Sequence, residues 1–354
     1  MIRSVCCAIL VSLLGLAGLA SDQAEIELIA TRRVFPEMGP GLVALKRDAA
    51  ARRYLILSSG SAGVAVYNLD GQRIGTIPPT AAPQGASPSG AKTAARPEES
   101  RGATALQYPS DFDIMSDGRL VIADRAANAL KFFDAAGNLV QTISTPAPSS
   151  VAALAEGDVA VTTSAFASSR SVGTLRLVTV FDKDGRLARE FGDLVDLASR
   201  RDLNRFLNIG RVSSDPSGAL YYAFTFLPEP TARKYDRFGF ASLEISITSL
   251  DVMPAAQAVR REIKRQDEKG GAPRMNPVIT ALGVDPETQE FWLALGNVLL
   301  HLDREGNRRG SYRTFSAEGA RLEPVAILVE PGRLLLACDP LGIYEFPRPD
   351  KSKP

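Results

Sequence analysis

In 354 residues the chain has one histidine, one tryptophan and three cysteines, and 41 Lys and Arg nearly cancel 40 Asp and Glu. Each scarcity excludes something. The single histidine, His301, cannot build a histidine-rich zinc site, and no Gly-x-Ser-x-Gly elbow offers a nucleophile to pair with it. Near-zero net charge removes the bulk attraction that nucleic acid or an anionic membrane would need, so no nucleic-acid partner is expected. The apolar run Val5 to Ala17 falls short of the roughly 20 residues that span a bilayer. With Arg3 ahead of it and Gly18-Leu19-Ala20 behind, residues 1–20 read as a cleaved signal peptide. A secreted or periplasmic protein with no membrane span after cleavage is therefore expected. Cys6 and Cys7 precede the apolar run, so neither reads as a lipid-attachment site, and both leave with the leader. Only Cys338 stays, which rules out an intramolecular disulfide and leaves stability to packing.

What the sequence has in plenty is one turn. Five times an aromatic or apolar strand runs into an Asp closely followed by a Gly: Asp70-Gly71, Asp134 to Gly137, Asp182 to Gly185, Asp236 to Gly239 and Asp303 to Gly306. Such turns between apolar runs signal hairpins, because Gly supplies the positive φ they require. Each sits in a longer unit of four strands, seen best at Pro109–Met115, Arg119–Asp124, Ala129–Phe133 and Asn138–Ile143. Aligned on that one, units fall at 40–77, 108–145, 149–193, 207–250, 277–316 and 322–348. Six such units predict an all-β, six-bladed β-propeller of four-stranded antiparallel blades, forming a single domain over 21–350. The last unit supplies only three strands, and Glu25 to Phe35 is a spare one, so the last blade is expected to be closed by this N-terminal strand.

Two insertions interrupt the repeat. Residues 78–107, rich in Pro, Ala, Ser and Gly, read as disordered. Residues 252–275 read as helical, and Leu194 to Leu207 is a shorter candidate helix. Both helical stretches are expected on one rim of the disc.

The second unit resembles the NHL repeat. The match is Tyr108-Pro109-Ser110-Asp111-Phe112-Asp113-Ile114-Met115-Ser116-Asp117-Gly118-Arg119-Leu120-Val121-Ile122-Ala123-Asp124, followed by Asn128, Leu130, Phe132-Phe133-Asp134 and Gly137. Asp215-Pro216-Ser217-Gly218 and Asp285-Pro286 resemble the family's first turn, and Ala337-Cys338-Asp339 its strand ending; units one and three lack the terminal Asp. The resemblance implies a six-bladed propeller and several functions: protein-interaction platforms, RNA-binding platforms, amidating lyases and, on similar propellers, lactonases. The amidating lyases hold zinc mainly through histidines, which a chain with one histidine cannot match.

Most singled-out residues have structural readings. His301, aligned with Phe132, is a packed strand residue, Cys338 a small buried apolar one, and the turn aspartates accept hydrogen bonds from backbone amides two residues on. Asp124 and Asp339 are expected to tie neighbouring blades together. The candidate binding residues lie near the start of each inner strand, where the central channel is expected to open: Asp111, Asp113, Asn208, Arg211, Asn276 and Glu323. No catalytic residue is identified. The expected function is a monomeric, non-enzymatic scaffold for a protein or carbohydrate partner, without a cofactor. The alternative is a metal-assisted hydrolase or lactonase, with Ca²⁺ or another divalent cation held by Asp111, Asn208, Asn276 and Glu323.

Overall fold

The computed structural model describes residues 26–79, 105–164, 175–248 and 252–349. Two short strands come first, β1 (Ile26–Ile29) and β2 (Arg32–Val34). Blade 1 is β3 (Leu42–Asp48), β4 (Arg53–Ser58), β5 (Val64–Asn68) and β6 (Arg73–Ile77). Blade 2 is β7 (Pro109–Ile114), β8 (Leu120–Asp124), β9 (Ala129–Phe133) and β10 (Leu139–Ser144). Blade 3 is β11 (Pro148–Ala153), β12 (Val159–Thr163), β13 (Val178–Phe181) and β14 (Leu187–Phe191). Blade 4 is β15 (Gly210–Ser214), β16 (Leu220–Phe224), β17 (Thr231–Tyr235) and β18 (Ala241–Ser246). Blade 5 is β19 (Ala281–Val284), β20 (Phe291–Leu295), β21 (Val298–Leu302) and β22 (Arg308–Phe315), and blade 6 contributes β23 (Pro324–Glu330), β24 (Arg333–Cys338) and β25 (Gly342–Pro347). The chain is thus a six-bladed β-propeller, with the strands of each blade paired in sequence order from the channel outward.

Burial follows position in the blade. The middle strands β8 and β9 are buried at every residue, because both faces of a blade press on neighbours; this is why they read as unbroken apolar runs. Outer strands such as β10 alternate between exposed and covered. Among the described residues six apolar clusters fill the structure, one joining β4 and β5 of blade 1 to Phe112, Leu120, Ile122 and Phe133 of blade 2. At about 25 cal/mol per Å² of apolar surface, these interblade layers are the main source of stability in a fold whose one described cysteine is free and buried.

The N-terminal segment closes the ring, though as two strands. β2 pairs antiparallel with β25, Val34 opposite Ile343, and completes blade 6. β1 pairs in parallel with β22, Ile26 opposite Tyr312, so blade 5 has five strands and one parallel edge. The split comes at Ala30 and Thr31, whose amides donate to Phe315 O of blade 5 and Glu345 O of blade 6. β22 runs for 8 residues, long enough to offer β1 a row of backbone groups beyond its own hairpin.

A repeated contact shows how neighbouring blades meet. In blades 2 to 5 the turn glycine of the outer hairpin faces the outermost strand, or its end, of the preceding blade: Gly185 meets Ile143, Gly239 meets Phe191, Gly306 meets Ile245 and Gly137 meets Pro79. Gly71 of blade 1 meets Phe35, which follows β2, so the N-terminal strand occupies the place of an outer blade-6 strand.

Among the described residues there are two helices, α1 (Arg201–Leu207) and α2 (Met253–Lys269). The helix expected over Leu194 to Leu207 is confined to its second half. Asn208 Oδ1 accepts from the Val195 amide and Asn204 Oδ1 from that of Leu197, both at 2.7 Å, which holds the first half extended. Asp267 of α2 accepts from the Ser199 and Arg200 amides, tying the helices together, and Leu203, Leu207 and Ile263 pack with Tyr222 and Phe224 of blade 4. Residues 1–20 and 80–104, the expected signal peptide and most of the expected disordered insertion, lie outside the described residues.

Candidate functional site

The inner strands β3, β7, β11, β15, β19 and β23 enclose a channel with two contiguous sections. The inner one, about 90 Å³, is lined by side chains that include Lys46, Asp111, Ser150, Arg211 and Ser213. The wider one, about 500 Å³, is a mouth to which all six blades contribute, including Arg47, Asp113, Ser116, Glu287 and Glu330. Lys46, Ser213, Val284, Leu328 and Val329 line both. The mouth lies at the ends of the inner strands and the turns that follow them, whereas the sequence argument placed it at their starts.

The charged groups are mostly engaged with one another. Lys46 Nζ lies 3.3 Å from Asp113 Oδ1, and Asp113 Oδ2 accepts from the Ala153 amide at 3.0 Å. Asp111 Oδ2 accepts from Ser150 Oγ at 2.6 Å and from the Val151 amide at 3.1 Å. Glu330 is a hub: Arg47 Nη1 lies 2.9 Å from it, Arg333 Nε donates at 2.7 Å, and the Tyr54 hydroxyl donates at 3.1 Å. Burial raises the Asp111 pKa, and Lys46, Ser150 and Arg211 only partly offset this. Burial pulls the Lys46 ammonium down, but Asp113 and Asp111 outweigh it and leave the pKa raised. Burial lowers the Arg211 pKa against the opposing pull of Asp111.

Of the six residues singled out from the sequence, Asp111, Asp113 and Arg211 come together in the channel. The other three do not join them. Asn208 is fully buried, its amide nitrogen donating to Val195 O and Asn204 O while its oxygen takes the Val195 amide, so its side chain is committed to the loop before α1. Asn276 lines a separate, mainly apolar cavity of about 330 Å³ between α2, the Pro228 to Pro230 loop and the β20–β21 turn. Glu323 is exposed just ahead of β23. The four oxygen donors named for a metal ion are thus spread over distinct places, and among the described residues no three His, Cys, Asp or Glu side chains are grouped to hold one. Lys46, Arg47 and Glu330 were missed. Their signal is position: like Asp113 they occupy the second half of inner strands, at the end that lines the mouth.

The structural residues behave more regularly. In four blades the turn Asp accepts from the amides two and four residues on, as Asp134 does from Ala136 and Asn138 and Asp303 from Glu305 and Asn307. In blade 1 Asn68 accepts from the Gln72 amide in that role, so Asp70 is out of register with the other four. Asp339 does tie blades together, accepting from the Gly41 and Leu42 amides of blade 1. Asp124 instead holds the lead into its own blade, through the Gln107 and Tyr108 amides and Lys131. His301 is buried, its ring stacked on Trp292 at 3.9 Å and its Nε2 3.2 Å from Glu290 Oε2. Burial pushes the Cys338 thiol up to about 12, with Glu323 adding to the effect, which leaves it a packing residue.

Among solved structures the chain is similar to a streptogramin B lyase, with 10% identity, a TM-score of 0.51, and 89% of this chain and 86% of that one covered. It is also similar to virginiamycin B lyase from Staphylococcus aureus. The selenomethionine-substituted protein gives 13% identity, a TM-score of 0.46, and coverage of 91% and 89%; a catalytically inactive variant with quinupristin gives 14%, 0.48, and 89% and 87%. At these identities the likeness shows the propeller fold alone. No family model and no curated protein matches the chain.

Proposed function

We propose that this protein is an exported, monomeric, non-enzymatic binding scaffold that receives its partner at the channel mouth. One observation carries the reading: a cavity of about 500 Å³ framed by all six blades, whose charged walls are held in ion pairs such as Arg47 with Glu330 and Lys46 with Asp113. Preformed concave sites of this size bind ligands with little reorganisation. Among the described residues its lining has no histidine or cysteine and no aromatic ring on which a sugar could stack, so a segment of a protein partner fits it better than a carbohydrate. The chain's one histidine is committed to Trp292 and Glu290 in blade 5, so an acid–base mechanism at the mouth would rest on carboxylates alone, of which Asp113, Asp215 and Glu330 are already paired.

The test is co-purification from the native envelope fraction, comparing wild type with Ser116→Arg and Glu287→Arg. Both positions are exposed at the mouth. The expected result is a partner recovered by wild type and lost from both variants. A partner retained by both places the contact elsewhere and ends this reading.

A further inference from the structure

We propose that the inner section of the channel is a carboxylate-binding site anchored by the Arg211 guanidinium, with Lys46 as its second cation. The proposal deepens the reading of the mouth as a binding entrance and rests on it for the route of entry. Arg211 stands on β15 of blade 4, yet its Nη1 donates to Val325 O on β23 of blade 6, at 3.2 Å. Those blades are not neighbours in the ring, so the side chain crosses the channel. A guanidinium presents five N–H donors in a planar fork, and this is the one hydrogen bond Arg211 makes among the described residues. The nearest opposing charge, Asp111, is turned toward Ser150 and the Val151 amide of blade 3 and forms no ion pair with it. Lys46 reaches both sections and is balanced by Asp113.

Arg211 is thus a buried cation with no direct ion pair, and Asp111, acting through space, only partly offsets the burial that lowers its pKa. Leaving a cation desolvated without a partner is costly, and an incoming anion removes that cost. Size and shape select the anion. About 90 Å³ admits a carboxylate group and little more, and the planar fork matches a carboxylate in bidentate fashion. The rest of the ligand would lie in the mouth.

The experiment is calorimetric and thermal-shift titration of the full chain at constant ionic strength with acetate, and with acetamide as the neutral isostere. Acetyl-triglycine and its C-terminal amide distinguish a free small acid from a peptide chain end. Acetate is expected to bind and raise the melting temperature, acetamide to do neither, and Arg211→Met to weaken acetate by about tenfold to a hundredfold, with Arg211→Lys between. Acetyl-triglycine tighter than acetate identifies a chain end, and equal affinity a free acid; either supports the site. Without added anion Arg211→Met should keep or raise the melting temperature, since it removes a desolvated cation. A fall of several degrees would instead make Arg211 a strut across the channel. That result, or equal responses to acetate and acetamide, overturns the proposal. Neither Ser116→Arg nor Glu287→Arg touches the inner section, so failure of partner capture with acetate binding intact counts against the mouth reading alone.

Discussion

The outer turns and the central channel both use aspartates, and they use them in opposite ways. At the periphery Asp134, Asp182, Asp236 and Asp303 repeat one geometry in four blades, each carboxylate gathering amides that would otherwise go unpaired. In the channel the blades differ: at one depth blades 2, 3 and 4 present Asp111, Ser150 and Arg211 where blades 1 and 6 present Ala44 and Ala326, and Lys46 of blade 1 lies two residues further along. The electrostatics follow. Asn138 holds the Asp134 pKa below its ordinary value, while burial raises that of Asp111. Groups that specify the fold recur and are stabilised in place. Groups that break the repeat sit where the fold alone would not put a charge, which is the sign of a site shaped by what it binds.

The largest way to break this comparison is to open the ring. Deleting residues 26–35 removes β1 and β2, leaves β25 and β22 with bare edges, and strips Phe35 from Tyr54, Tyr67 and Gly71. Loss of Leu28 and Phe35 alone should cost about 5 kcal/mol or more, read as a collapse of the denaturation midpoint. A mild effect would mean that the blades hold without closure. The next largest is Gly239→Ala. At φ +92 a Cβ would sit 2.6 Å from the Phe191 ring of blade 3, adding a clash to the strain of a left-handed residue, about 2 to 4 kcal/mol together. Gly118, at φ +83 with open space around it, isolates the strain, and Gly118→Ala should cost about 1 to 2 kcal/mol. Equal losses would show that the interblade approach carries no weight.

What was legible in the sequence divides along the same line. The strands of blade 2 were placed within a residue or so because period, turn Asp and turn Gly agree there, and Ala129–Phe133 came out unchanged. The units and the closing segment were readable for the same reason. The exchange of Asn68 for Asp70 was not, since blade 1 carries both residue types two positions apart and only the hydrogen bond decides. Nor was the end of the channel that opens: strand periodicity tells which residues face inward and says nothing of which end connecting loops leave free. Asn208 shows the limit most clearly. Its position predicts a channel residue, but an Asn before a strand can satisfy a loop's own amides, and here it does.

Asp303→Ala should cost about 2 kcal/mol at neutral pH, by removing the acceptor for the Glu305 and Asn307 amides and the partner of Arg309. Burial works against its charged form, but Asn307 and Arg309 outweigh it and hold the Asp303 pKa below the ordinary value. A carboxyl so depressed stabilises the fold above the ordinary carboxylate pKa of about 4, and that contribution is lost as pH falls through the folded value. The gap between wild type and variant in urea midpoints should therefore narrow in acid. A gap independent of pH would assign the effect to the lost hydrogen bonds and none of it to charge.

The smallest expected effect is the most telling, because its sign is reversed. Burial raises the folded pKa of Asp111, so its charged form counts against the fold at neutral pH, and that penalty disappears as pH falls through the folded value. Asn keeps an oxygen for Ser150 Oγ and the Val151 amide, and Asp111→Asn should leave neutral-pH stability unchanged or raise it by up to about 1 kcal/mol. It should also tighten acetate binding, since Asp111 is the negative charge that opposes the pull of burial on Arg211. A loss of about 2 kcal/mol or more would make the channel carboxylate a structural partner of Lys46 and Arg211, and the contrast between turn and channel would fall with it.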